Sequence, residues 1–141
     1  MPYPQFNEDT LKQSLQLAHI RFKRLEKLGG LRHSKKDSIN LGWHNSSFRG
    51  FADYMATMEF SEGLEALMKI TSMRGTAIMC AEAVPWRCHR LLIADALIKK
   101  GWLVQDIMSR TNAIKHQLTS FLRVQKGQLI YRELKIDSLS T

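Results

Sequence analysis

The chain has 141 residues, 44% of them hydrophobic and 24% charged, which suits a single domain over residues 1–141 with a real core and is too apolar for disorder. Its formal net charge of +8 favours phosphate-bearing partners, although the lysines and arginines are spread along the chain with no block of five. Two cysteines exclude a disulfide-rich scaffold, and no apolar run approaches the ~20 residues of a membrane helix, so a cytoplasmic protein with no membrane partner is expected.

In chain order, Asn7 can cap a helix that carries Glu8 and Asp9 in its first turn and Leu11, Leu15 and Ala18 on one face. Ile20, Phe22 and Leu25, set among Arg21, Lys23 and Arg24, predict a short half-buried strand that Gly29-Gly30 ends. Leu31 to Gly50 is a polar segment long enough to be functional if ordered, and Ile39, Leu41, Trp43 and Phe48 can pin it to the body. A short helix is predicted from Phe51 to Met55. Another follows, capped by Ser61, with Leu64, Leu67, Met68 and Ile70 facing inward. Thr76 to Cys80 reads as a strand, and Leu91 to Ile98 as a helix that stops at Gly101. Trp102 to Ile107 reads as the next strand. Strand, helix and strand over about thirty residues predict a parallel crossover. A helical turn around Ile114, Leu118 and Phe121, a turn at Gln125–Gln128 and a last strand at Leu129–Tyr131 complete the chain. The expected fold is therefore α/β, with a short, mostly parallel sheet and helices packed on it. A doubly wound domain normally opens on a strand and this chain opens on a helix, so first strands are expected to be missing.

Chemistry concentrates between Thr76 and Arg90, where a strand, a bend at Pro85 and a helix opening at Cys88-His89-Arg90 succeed one another. Strand ends that lead into helix N-termini are where α/β sheets bind ligands, and the helix amides attract anions and depress thiol pKa values. Cys80 can be a nucleophilic or redox thiol with Cys88 as its resolving partner and Arg87, His89 and Arg90 lowering its pKa, or simply a buried strand residue. The phosphatase pattern Cys-x5-Arg does not fit, since Arg87 is one residue too far and Arg90 four. A metal set drawn from Cys80, Cys88 and His89 with His33, His44 or His116 lacks close Cys-Cys spacing, and adjacent Cys88 and His89 should point to different sides. An anion site needs less: Arg32, Arg49 and Arg90 offer forked donors, and Trp43, Phe48 and Trp86 could stack a base. Each arginine could equally be a surface charge or pair with Asp53, Glu82 or Asp95.

The segments Leu28–Arg32, Gly42–Met55, Met79–Arg90 and His116–Phe121 resemble a bacterial family, domain of unknown function 488, with likeness from about Pro4 to Tyr131 and its most specific part at Cys80…Cys88-His89-Arg90. The resemblance implies that two strands normally precede the Pro4–Asn7 segment, together with an arginine facing the pocket. It implies a pocket and no particular reaction. The candidate catalytic residues are Cys80, Glu82 and His89, and the candidate binding residues are Arg32, Trp43, Arg49, Cys88 and Arg90. The expected activity is that of an enzyme, or a relic of one, acting on a phosphate-bearing or nucleotide-like substrate. The alternative is a non-catalytic nucleotide or nucleic-acid binding module. No cofactor is legible. An uncovered sheet edge beside the Ile20–Leu25 strand predicts self-association.

Overall fold

The computed structural model describes residues 8–30, 32–80 and 88–133. The predicted Asn7 cap, Glu82, Pro85, Trp86 and Arg87 lie outside the described residues.

The first helix, α1 (Glu8–Leu17), has Glu8 and Asp9 in its opening turn, the sign the helix dipole favours there. It buries none of its residues and is joined to the chain that follows by Glu8, which accepts from Arg24 at 3.1 Å. The strand expected over Ile20–Leu25 does not form: a 3-10 turn at Glu26–Leu28 follows irregular chain. The inward positions are Phe22, Leu25 and Leu28, a spacing of three that suits a helical turn and not the alternation of a strand. The sheet edge on which self-association was expected is therefore absent.

The second helix, α2 (Ser46–Tyr54), starts five residues before the expected Phe51, because Asn45 Oδ1 accepts from the amides of Ser47 at 2.8 Å and Phe48 at 3.2 Å. The preceding loop is ordered by a polar anchor inside it. Buried Asp53 accepts from the Lys35 amide (2.9 Å), Ser38 Oγ (2.6 Å) and Asn40 Nδ2 (2.8 Å), while Asn40 Oδ1 accepts from the Tyr131 amide (2.9 Å). Trp43 and Phe48 pack on the core as expected, whereas Ile39 and Leu41 stay exposed. The third helix, α3 (Met58–Met73), is capped by Thr57, whose Oγ1 accepts from the Phe60 amide, and not by Ser61. Leu64 and Leu67 are buried as the spacing predicts.

The fourth helix, α4 (Arg90–Lys99), is the centre of the molecule: every residue from Leu92 to Leu97 is buried. A helix covered on all sides reads as a continuous apolar run, and Leu91-Leu92-Ile93-Ala94 followed by Ala96-Leu97-Ile98 is one, interrupted only by Asp95. It ends as predicted. Gly101, at a φ of +92°, lets its own amide donate to Ile98 O (2.9 Å) and the Trp102 amide to Leu97 O (3.0 Å), a closed C-terminal turn.

The expectation of a mostly parallel sheet is overturned. The described strands form two antiparallel hairpins, β1 (Gln105–Ser109) with β2 (Asn112–Lys115) and β3 (Leu122–Gln125) with β4 (Gln128–Tyr131). Thr76–Cys80 carries no strand pairing among the described residues, so the βαβ crossover does not exist there. The chain leaving α4 instead turns back at Arg110-Thr111, and Ile114, expected in a helical turn, pairs with Asp106 in β2. Of the second hairpin the turn and the last strand were foreseen, but not its partner β3: Lys126 and Gly127 both have positive φ, +51° and +78°, the two-residue turn whose twist matches paired strands. What remains of the expected class is α/β in the broad sense of four α-helices with short strands. Among the described residues no helix is long and apolar enough to cross a membrane.

Candidate functional site

Four of the predicted residues meet at the N-terminus of α4. Cys88 lies just before the helix, and its Sγ accepts from the Arg90 amide at 3.4 Å and from Arg90 Nε at 3.3 Å. A side chain bonding the amide two residues ahead is the local turn that polar residues make at helix starts, here made by a sulfur. Cys80 Sγ lies 2.7 Å from Cys88 Sγ, and no disulfide joins them. Cys88 is buried, while Cys80 is half-buried.

His89 was expected to diverge from Cys88 but does not, since its Nδ1 lies 3.7 Å from Cys88 Sγ. The opposite nitrogen, Nε2, lies 3.1 Å from the Leu28 carbonyl oxygen and so carries the proton it donates there. That leaves Nδ1 of the neutral ring as an acceptor facing the thiol. The ring is held on its other sides by Phe51, whose centroid is 4.9 Å away, and by Gly30. A Cβ at Gly30 would lie 2.8 Å from His89 Nδ1, so only glycine lets the chain pass this close.

These contacts set the acidity of Cys88. Burial pushes the thiol up, but bonds from His89, from Cys80 and from both Arg90 donors outweigh it and bring the pKa down to about 6. At neutral pH Cys88 is therefore mostly thiolate. The sequence drew attention to Cys80 as the activated sulfur; the geometry brings two Arg90 donors and the His89 ring to Cys88 as well.

The other predicted residues sit elsewhere. The Arg32 guanidinium lies 3.6 Å over the Tyr54 ring, and its Nε donates to Gly29 O in a long bond of 3.3 Å. Arg49 Nε donates to Trp43 O at 3.0 Å, fixing the loop to α2. Trp43 is wedged among Phe48, Phe121 and Tyr131, with centroids 4.8–5.4 Å away, which makes it a packing residue rather than an open stacking platform. Among the described residues neither Asp53 nor Asp95 forms an ion pair with an arginine; each receives donors from loops and strands instead. Against α4 lies a cavity of about 320 Å³, with Leu67, Ile78, Ala94, Leu97 and Trp102 in its walls and neither cysteine among its lining residues. Arg90 lines it too, and so faces both cavity and sulfur.

Sequence reasoning missed a second polar cluster on α4. Asp95, wholly buried, accepts through Oδ1 from His116 Nε2 (2.9 Å) and the Thr119 amide (3.3 Å). Its Oδ2 accepts from Thr119 Oγ1 (2.7 Å) and Tyr131 OH (2.9 Å). His116 Nδ1 meets Asp106 Oδ2 at 2.9 Å. The Asp95 bond, reinforced by Asp106 against the cost of burial, raises the His116 pKa. Burial and the Asp95 charge push the Tyr131 hydroxyl far up, so it stays a donor. His116, engaged by two carboxylates here, does not join the cysteines as a metal ligand. The signal was available: a lone carboxylate inside Leu91–Ile98 can only be buried with partners.

No curated protein and no solved structure matches the chain. The family model for a domain of unknown function, DUF488, matches residues 1–97, which contain Cys80, Cys88, His89 and Arg90 but neither hairpin nor the His116–Phe121 segment. The chain belongs to the DUF488 family.

Proposed function

We propose that the chain is an enzyme acting on a phosphate-bearing or nucleotide-like substrate, with Cys88 as nucleophile. The observation that carries this reading is what converges on one sulfur: Arg90 N and Arg90 Nε donate to it, and the acceptor nitrogen of the His89 ring faces it. Nucleophilic thiols are activated in this way, by an adjacent base and a cation at a helix start. Cys88 reacts as the thiolate, its proton having passed to His89 Nδ1. The thiolate attacks phosphorus, a sulfur–phosphorus bond forms, and the ester oxygen leaves with the proton that His89 carries. Water then cleaves the sulfur–phosphorus bond and restores the thiol. Arg90 holds the phosphoryl oxygens, and the cavity that it lines takes the rest of the substrate. Cys80, half-buried beside Cys88, belongs to the same site. The net charge of +8 supports an anionic substrate without selecting one.

Two measurements test the reading together. Iodoacetamide alkylation of Cys88, followed by mass spectrometry against pH, should reach half its maximal rate near pH 6, against about 8.5 for an ordinary thiol. Aryl phosphates and nucleotides should be hydrolysed by the native chain and not by Cys88→Ser. An ordinary alkylation midpoint together with no turnover would sink the proposal. Salt-sensitive binding of nucleic acid without turnover would move the assignment to the non-catalytic module.

A further inference from the structure

We propose that Cys80 and Cys88 form a reversible disulfide that oxidises thiol compounds by exchange, with Cys80 as the sulfur attacked and Cys88 as the leaving thiolate. The two sulfurs are 2.7 Å apart, a short movement from the ~2.05 Å of a bonded pair. Their burial is unequal, which assigns the roles. Cys88 is buried at 4% exposure and holds the two Arg90 donors and the His89 contact. Cys80 is only half-buried, which makes it the residue that a thiol from solution attacks in this proposal.

An incoming thiolate attacks Cys80 Sγ. The Cys80–Cys88 bond breaks, a mixed disulfide forms on Cys80, and the electron pair leaves on Cys88, where Arg90 stabilises it. A second thiolate attacks the incoming group's sulfur, which releases its disulfide and leaves Cys80 reduced. Two electrons have then passed to the protein, and a low-molecular-weight disulfide from solution, itself reduced to two thiols, restores the bond. A good leaving thiolate speeds exchange, and stabilising the reduced form makes the disulfide more oxidising. The inference rests on the Cys88 thiolate of the proposed enzyme and requires no phosphate-bearing substrate.

The test incubates the full chain in buffers of varied oxidised-to-reduced glutathione ratio, quenches with acid and maps sulfur states by mass spectrometry. The native chain should lose two hydrogens and gain a Cys80–Cys88 link. Cys88→Ser should carry glutathione on Cys80, whereas Cys80→Ser should leave Cys88 largely unmodified by glutathione. Arg90→Ala should move the midpoint about tenfold toward the more reducing ratios, because the thiolate has lost its charged Nε donor while keeping the amide. A native chain that stays folded yet forms no internal link at any ratio overturns the inference, as does glutathione on Cys88 in preference to Cys80. Phosphoester turnover without a disulfide leaves the enzyme reading standing and removes this one. A disulfide without turnover does the reverse.

Discussion

Helix α4 carries two polar clusters, and they use burial in opposite ways. In its middle, Asp95 receives four donors on two oxygens, at distances of 2.7–3.3 Å, with no exposure. At its N-terminus, Cys88 receives longer bonds to a softer atom, with a second thiol beside it. Full satisfaction makes the carboxylate inert and structural. Incomplete satisfaction, weighted toward the thiolate, makes the thiol acidic. The comparison teaches that a buried charged group is not in itself a sign of a site; what matters is whether its partners saturate it.

The difference should be largest in stability. Asp95→Ala leaves a buried imidazole, a hydroxyl and the Tyr131 phenol without their acceptor, and should cost about 3–5 kcal/mol by urea unfolding. Cys88→Ser should cost about 1 kcal/mol. Equal losses at the two positions would erase the distinction between the clusters.

A smaller effect should appear with pH. The His116 pKa is raised above its ordinary 6.5, chiefly by Asp95, so its contribution is complete below about pH 6.5 and is lost as pH rises through the folded value. The urea midpoint should therefore fall on the alkaline side of pH 6.5, and His116→Asn should flatten that slope. A slope that survives the substitution would place its source elsewhere.

The smallest effect should fall on reactivity alone. Gly30→Ala puts a methyl 2.8 Å from His89 Nδ1 and must push the ring off Cys88. Iodoacetamide labelling of Cys88 at pH 6.5 should slow about two- to threefold while the unfolding midpoint barely moves. Unchanged labelling would mean that the His89 contact does not tune the sulfur.

Local features were legible in the sequence, and pairings across distance were not. The stop at Gly101, the turn at Lys126-Gly127 and the inward Leu64 and Leu67 depend on a few neighbouring residues, and each stands as read. The strand partners of Thr76–Cys80 and Trp102–Ile107 depend on what lies beside them. Apolar runs of that length do not say whether a neighbour is parallel, antiparallel or absent. The grouping of Cys80, Cys88, His89 and Arg90 was visible because it spans eleven residues. The share of activation between the two sulfurs was not, because Gly30, Leu28 and Phe51 decide how the imidazole sits and all are far off in sequence. Where Arg32 and Arg49 are held was not legible, because an arginine that donates to a carbonyl or lies on a ring has the same letter as one that awaits a ligand.

Tyr131 has a consequence for the order in which this protein can be made. Its amide donates to Asn40, 91 residues earlier, and its hydroxyl to Asp95, 36 residues earlier. Both α4 and the loop that Asn40 anchors are synthesised well before their last partner exists. At a synthesis rate of ~5–20 residues per second, the 36 residues between Asp95 and Tyr131 take roughly 2–7 s on the ribosome. For that interval a carboxylate sits within the most apolar helix of the nascent chain with Tyr131 not yet made, so the core cannot close until the final hairpin arrives.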